Sequence, residues 1–203
     1  MKLRYSPASP YVRKVTVVAL ETGLDGRIER VPTTVSPTKP DPGYQRQSNP
    51  LAKVPALSLD SGETLFDSPV ICEYLDSLHG GAKMFPASGP ARWTALRRQA
   101  TADGILDAAI LRRYELLRPE NVRWADWDTG QTAKVTGALA ALEAEANTLG
   151  STVDIGTITI GCALGYLDFR FAAENWRPAH PKLATWYEGF SARPSMKATV
   201  PQG

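Results

Sequence analysis

This sequence predicts a two-part chain, an α/β unit followed by an all-helical unit, and three observations predict it. Up to about residue 78, short apolar runs of strand character stand between helical stretches and turn residues. Beyond about residue 90, the apolar pattern is helical in period throughout. Between them, His79-Gly80-Gly81-Ala82-Lys83-Met84-Phe85-Pro86-Ala87-Ser88-Gly89-Pro90 is rich in glycine and proline, the composition of a domain boundary. The expected division is residues 1–78, a linker at 79–90, and a helical domain at 91–203.

Taken in order, Lys2–Tyr5 is a short first strand and Ser6-Pro7-Ala8-Ser9-Pro10 a breaker-rich loop. Tyr11–Glu21 follows as a helix stopped near Gly23, with Ser9-Pro10 supplying N-cap and first-position chemistry. Arg27–Val31 alternates and predicts a second strand. Pro32, Pro37, Pro40, Pro42 and Gly43 make the next stretch mostly loop, with a short helix around Tyr44–Arg46. Val54, Leu57 and Leu59 mark a strand, Asp60-Ser61-Gly62 a turn, and Leu65-Phe66 a second short strand. Asp67-Ser68-Pro69 then opens a helix ending near Leu78. The order β-α-β-loop-β-β-α matches a thioredoxin-like unit with helices on the faces of the sheet.

In the second half, Ala91 to about Leu117 carries Trp93, Leu96, Ala100, Ile105, Ala108, Leu111 and Leu116 at near-helical spacing, ending at Arg118-Pro119. Thr132–Leu149 repeats the pattern and Gly150 reads as its stop. Thr157–Asn175 is nearly apolar at first and predicts a buried central helix. Pro181–Ala192 is a last amphipathic helix with Leu183, Trp186, Tyr187 and Phe190 inward.

Composition excludes several classes. The 203 residues are 43% hydrophobic and 22% charged, an ordinary globular balance that argues against disorder. A net charge of +2 without a basic block gives no case for nucleic acid. No apolar run approaches the roughly 20 residues of a spanning helix, so no membrane role is expected. The start Met1-Lys2-Leu3-Arg4-Tyr5 lacks an apolar leader pattern. Cys72 and Cys162 have neither CxxC nor metal-ligand spacing, so no metal site is expected and a reduced, cytoplasmic setting follows.

The pair of stretches Asn49-Pro50-Leu51-Ala52-Lys53-Val54-Pro55-Ala56-Leu57 and Phe66-Asp67-Ser68-Pro69-Val70-Ile71 carries the chemistry. A cis Val54–Pro55 bond leaves the backbone N–H and C=O of Val54 free for an extended peptide. A helix start at Asp67-Ser68 binds carboxylates through free N–H groups and the helix dipole. Together they resemble the glutathione site of cytosolic glutathione transferases, whose pattern is N-P-x-x-x-V-P-x-L followed by an acidic residue and a serine. His180-Pro181-Lys182-Leu183-Ala184-Thr185-Trp186 and Arg193-Pro194-Ser195 resemble the family's ending. Thr157 resembles the opening of its buried helix, although Ile160 stands where the family usually carries the aspartate of a capping box.

The resemblance implies glutathione as co-substrate, a small hydrophobic electrophile as second substrate, a detoxifying transferase activity that extends to hydroperoxide reduction, and a homodimer. It assigns Val54 to the cysteinyl unit by its backbone, Asp67 and Ser68 to the γ-glutamyl ammonium and carboxylate, and Lys53 to the glycyl carboxylate. A non-catalytic glutathione-binding stress or regulatory protein of the same fold is the alternative.

Thioredoxin-like proteins carry their reactive group at the start of the first helix, and no cysteine precedes Cys72. The nucleophile is then the ligand's thiol, with a serine hydroxyl donating to its sulfur. Position against serine-type transferases points to Ser6; helix-cap chemistry, and the likeness of Ser-Pro-Tyr-Val-Arg-Lys to bacterial members, point to Ser9. A thiol of pKa about 8.5 is roughly 3% ionised at pH 7, and lowering it by about two units yields a ~25-fold gain in thiolate. Falling nucleophilicity returns roughly 8-fold of that. Holding the electrophile over the sulfur therefore offers more. Asp103 and Tyr114 are expected to wall the electrophile pocket, Arg170 to satisfy a carboxylate structurally, and His79 and His180 to be structural.

Overall fold

The computed structural model describes residues 1–203. The N-terminal unit builds a four-stranded sheet from β1 (Lys2–Tyr5), β2 (Glu29–Pro32), β3 (Ala56–Ser58) and β4 (Thr64–Leu65), in the order β2-β1-β3-β4. β1 runs parallel to β2 and antiparallel to β3, which pairs antiparallel with β4. The helices α1 (Pro10–Glu21), α2 (Pro42–Gln47) and α3 (Ser68–Ser77) complete the expected β-α-β-loop-β-β-α order. One boundary moves. Residues Asp25–Arg27 form a 3-10 turn closed by Ile28 N–H on the Asp25 carbonyl, so the second strand begins at Glu29.

The helical domain comprises α4 (Gly89–Leu116), α5 (Ala125–Glu145), α6 (Ile155–Arg170), α7 (Pro181–Ser191) and α8 (Pro194–Lys197). α6 is buried from Ile155 through Leu167, as an apolar helix must be when neighbours cover every face. It packs against α4 and α1, and one apolar cluster runs from Leu3 and Val15 through Ile158 and Leu164. Arg13 of α1 approaches α6 so closely that a Cβ at Gly165 would collide with its Nη1 and lie 2.8 Å from the Tyr187 hydroxyl. Glycine here leaves room for these two side-chain tips and is not called for by backbone conformation.

Two expectations fail on α4 and α6. Trp93 is 67% exposed, and Ala100, Leu111 and Leu116 also face outward. Of that stripe Ile105 and Ala108 are buried, and the inward face of α4 sets them beside Leu106, small Ala102 and Ala109, and two arginines, Arg98 held by Glu145 and Arg112 by Asp128 and Glu174. Alanines let helices approach, and carboxylates from later elements allow arginines inside. On α6 the capping box is intact and lies one turn earlier than expected. Asp154 is the N-cap and its Oδ1 accepts from Thr157 N–H at 2.8 Å, while Thr157 Oγ1 accepts from Asp154 N–H at 3.0 Å. Thr157 is therefore the third helical residue, and Ile160 leaves nothing uncapped.

The segment before α4 is tied down by Asp76, whose carboxylate accepts from Met84 N–H at 2.8 Å and Phe85 N–H at 3.1 Å. It also meets His79 Nε2 at 2.9 Å. His180 is buried with Nδ1 2.8 Å from the Trp176 carbonyl. Both histidines are structural.

Asp154→Ala removes one half of the α6 capping box and is expected to lower unfolding free energy by about 1–2 kcal/mol. Chemical denaturation checks this: the midpoint falls while the slope stays unchanged.

Candidate functional site

Strand register brings the sequence motifs to one end of the sheet. Arg4 pairs with Ala56, so Ser6, two residues on, and Val54, two residues back, leave the same edge together. Leu65 pairs with Leu57, which sends Asp67 out of β4 at that end as well. The start of α1, the loop before β3 and the start of α3 thus converge without any long side chain being needed.

Each piece has a local cause. Ser9 caps α1, its Oγ accepting from Val12 N–H at 3.3 Å, and its own N–H bonds the Ser6 carbonyl at 3.1 Å. An N-cap hydroxyl that accepts in this way still has its proton to donate. Val54–Pro55 is cis, and the Val54 residue is buried. Neither its N–H nor its C=O enters any backbone bond. The preceding carbonyl, of Lys53, accepts from Tyr44 Oη at 2.7 Å and Asn49 Nδ2 at 2.8 Å, while Asn49 Oδ1 takes Leu51 N–H at 2.9 Å. Buried Asn49 is the hub that shapes this loop. Burial pushes the Tyr44 phenol up to about 12, so it remains a donor. Asp67 sits at the N-cap of α3 with its side chain bonded to none of the helix N–H groups. Asp67 is exposed, Ser68 beside it is buried, and Lys53 is exposed.

The opposite wall belongs to the helical domain. Fully buried Lys14 places Nζ 2.6 and 2.8 Å from the two Asp103 carboxylate oxygens. Asp103, expected on the pocket wall, is thus committed to an ion pair with α1. Its pKa is raised, by burial first and against the pull of Lys14, with Asp107 and Asp67 adding like charge. Four residues on, Asp107 accepts a short hydrogen bond from the Tyr11 hydroxyl. Burial and that carboxylate hold the Tyr11 phenol well above its ordinary range, so it stays protonated. Further along lie Tyr166, Arg113, Tyr114 and Arg170, near enough to act on one another electrostatically. Arg170 has no carboxylate partner, contrary to the sequence expectation, because neighbouring Asp168 bonds Arg177 and Trp176 instead. Gln202 N–H reaches the Pro7 carbonyl at 3.3 Å, so the C-terminal residues cross the Ser6–Ser9 loop.

Tyr11, Lys14, Asp107 and Arg113 were not singled out from the sequence. Lys14 had a signal: with Arg13 it is one of two adjacent cations in the otherwise mostly apolar run from Val12 to Leu20, which calls for buried partners. Cys72 and Cys162 are buried and unbonded, with burial pushing the Cys162 thiol up to about 11 and Cys72 further. Neither is poised as a nucleophile. A separate cleft of about 200 Å³ beside Arg112, Val135, Phe171 and Trp176 shares no residue with the sheet-end site.

A thioredoxin-like domain with an open peptide edge, joined to a helical domain that walls it, defines a class of two-domain thiol-peptide-binding proteins. Residues 8–78 match the family described as glutathione S-transferase, N-terminal domain, and residues 95–189 its C-terminal domain. The chain belongs to the glutathione S-transferase family. It is 35% identical to the uncharacterised GST-like protein YibF of Escherichia coli, over 99% of this chain and 98% of that one. A glutathione transferase family member from Pseudomonas fluorescens Pf-5, crystallised with bound glutathione, is 50% identical at a TM-score of 0.96, covering 100% and 99% of the two chains. That family member in a second structure, with bound S-(propanoic acid)-glutathione, aligns at 48% identity and a TM-score of 0.92, covering both chains fully. A glutathione S-transferase from Methylobacillus flagellatus with glutathione bound is 36% identical at 0.89, over 99% of each chain.

Removing one member of a buried ion pair strands the other. Lys14→Met is expected to destabilise the fold by about 3 kcal/mol, and Lys14→Met with Asp103→Leu to recover most of that loss. Denaturant titration of the two variants decides it.

Proposed function

We propose that this protein is a glutathione transferase that adds the glutathione thiol to a small electrophile. The observation that carries the reading is the unused backbone edge of Val54 lying at the same sheet end as the Asp67-Ser68 helix start and the Ser9 cap. Val54 pairs its N–H and C=O with the cysteinyl unit. Asp67 takes the γ-glutamyl ammonium, and Ser68 with the α3 N-terminus takes its carboxylate. Exposed Lys53 meets the glycyl carboxylate. Bound glutathione in the Pseudomonas and Methylobacillus relatives supports these contacts, and the bound S-(propanoic acid)-glutathione supports room for a group on sulfur.

Ser9 is the residue we assign to the sulfur. Its Oγ accepts from Val12 N–H, which leaves the hydroxyl proton to donate outward from the α1 N-terminus, where the dipole favours an anion. Ser6, whose carbonyl anchors Ser9, is the second candidate. Either hydroxyl contributes through a charge-assisted hydrogen bond, while positioning of the electrophile against the helical wall supplies the larger part of the acceleration. Hydroperoxides are a further acceptor class for the same thiolate.

Ser9→Ala is expected to lower kcat/KM with 1-chloro-2,4-dinitrobenzene about tenfold, as loss of a bond to a charged sulfur should. Glutathione affinity by calorimetry should stay within about threefold, and Ser6→Ala should have the smaller effect. Unchanged rates in both variants overturn the serine assignment. Binding without turnover by the unmodified protein selects the non-catalytic reading, and no binding at millimolar glutathione overturns both.

A second copy of the chain is the proposed protein partner. Val70 on α3 and Trp93 on α4 leave large apolar groups exposed, 46% and 67% respectively. Analytical ultracentrifugation should give a dimer, and Trp93→Glu a shift toward monomer; a monomeric parent protein sinks the proposal.

A further inference from the structure

We propose that the acceptor side of this site is built for an electrophile that itself carries a carboxylate, received by Arg113 of α4 and Arg170 of α6. The proposal rests on the glutathione transferase reading and names the chemistry of its second substrate.

Every other arginine between Arg92 and Arg193 holds a carboxylate within salt-bridge distance. Arg113 and Arg170 hold none, the terminal carboxylate of Gly203 included, within the 4.0 Å limit that defines such pairs. Acids that neighbour them in sequence are engaged elsewhere. Asp168 is bonded bidentately by Arg177, and Glu174 and Asp128 by Arg112. Both guanidiniums are only partly exposed. The Nε of Arg170 is buried with no hydrogen-bond partner. Its guanidinium lies 3.7 Å from the centre of the Phe169 ring.

The place matters as much as the charge. Arg170 Nη2 comes within 4.0 Å of the Cβ position at Gly203, which itself lies 3.5 Å from Ala8 Cβ, next to Ser9. Tyr166, one turn before Arg170, is also near enough to Tyr11, at the first turn of α1, to act on it electrostatically. Two cations therefore share the wall that the thiol's partner must occupy. Burial, and then Arg113, already press the Arg170 guanidinium to lose charge. An unpaired buried donor and a like-charge neighbour are both costly, and a single anion relieves both. A merely greasy electrophile relieves neither.

For an aryl halide the step balances without redox chemistry. The thiolate sulfur forms a bond to the halide-bearing carbon, that carbon loses chloride with its electron pair, and the thiol proton goes to solvent.

The test compares 4-chloro-3,5-dinitrobenzoate with its methyl ester, each corrected for the uncatalysed rate. The unmodified protein should favour the carboxylate about tenfold in kcat/KM. Arg170→Gln and Arg113→Gln should each erase most of that preference through KM, with ester turnover within about twofold of the parent. Arg170→Lys should restore part of it. Equal turnover of both acceptors by the parent protein, or equal losses for both in the variants, overturns the inference and leaves the transferase reading standing. If neither acceptor turns over, calorimetry with S-(4-carboxybenzyl)glutathione and S-benzylglutathione decides. Tighter binding of the carboxylate form that Arg170→Gln abolishes supports the inference, and equal affinity overturns it. No binding of either sinks the underlying reading as well.

Discussion

The ion pair between Lys14 and Asp103 is the constraint around which the two domains are arranged. A fully buried ammonium is tolerable only with a partner at close range, so α1 cannot rotate or slide against α4 without breaking it. Tyr11 and Lys14 lie one turn apart on α1, as do Asp103 and Asp107 on α4, and the two contacts stack as rungs between the helices. The same helix α1 carries the Ser9 cap, and the same α4 carries Arg113. Registering one pair of helices therefore sets the distance from the Ser9 cap to Arg113.

Work is divided between the halves by their chemistry. The sheet end offers main-chain groups, which recognise a peptide without depending on side-chain rotamers. The helices offer tyrosines and unpaired arginines, which depend on shape and charge. The bond from Gln202 N–H to Pro7 joins the ends of the chain over this junction, so the C-terminal residues form part of the rim.

Local chemistry was legible in the sequence because it is local. Ser9-Pro10 and Asp67-Ser68-Pro69 announce helix starts whatever surrounds them, and Val54-Pro55 announces a loop that cannot continue a ladder. What the sequence hid were pairings across long separations. Nothing near Lys14 in the chain indicates Asp103, 89 residues away. Arg170 looked destined for a carboxylate, and Asp168 two residues before it turned to Arg177 instead. The inward arginines of α4, Arg98 and Arg112, were hidden for the same reason, since their partners sit on α5 and beyond. The α6 cap was misplaced by one turn because aspartate and threonine each suit either end of a capping box.

Gly165 carries one last consequence, for how such chains recombine. Its missing side chain is the space into which Arg13 of the other domain reaches, and Asp103 is the counter-charge for Lys14. A helical half transplanted from a relative would accept this N-terminal half only if it brought both a vacancy and an acid to those places. A half lacking either one would force the Arg13 tip to move or leave the Lys14 ammonium without its partner.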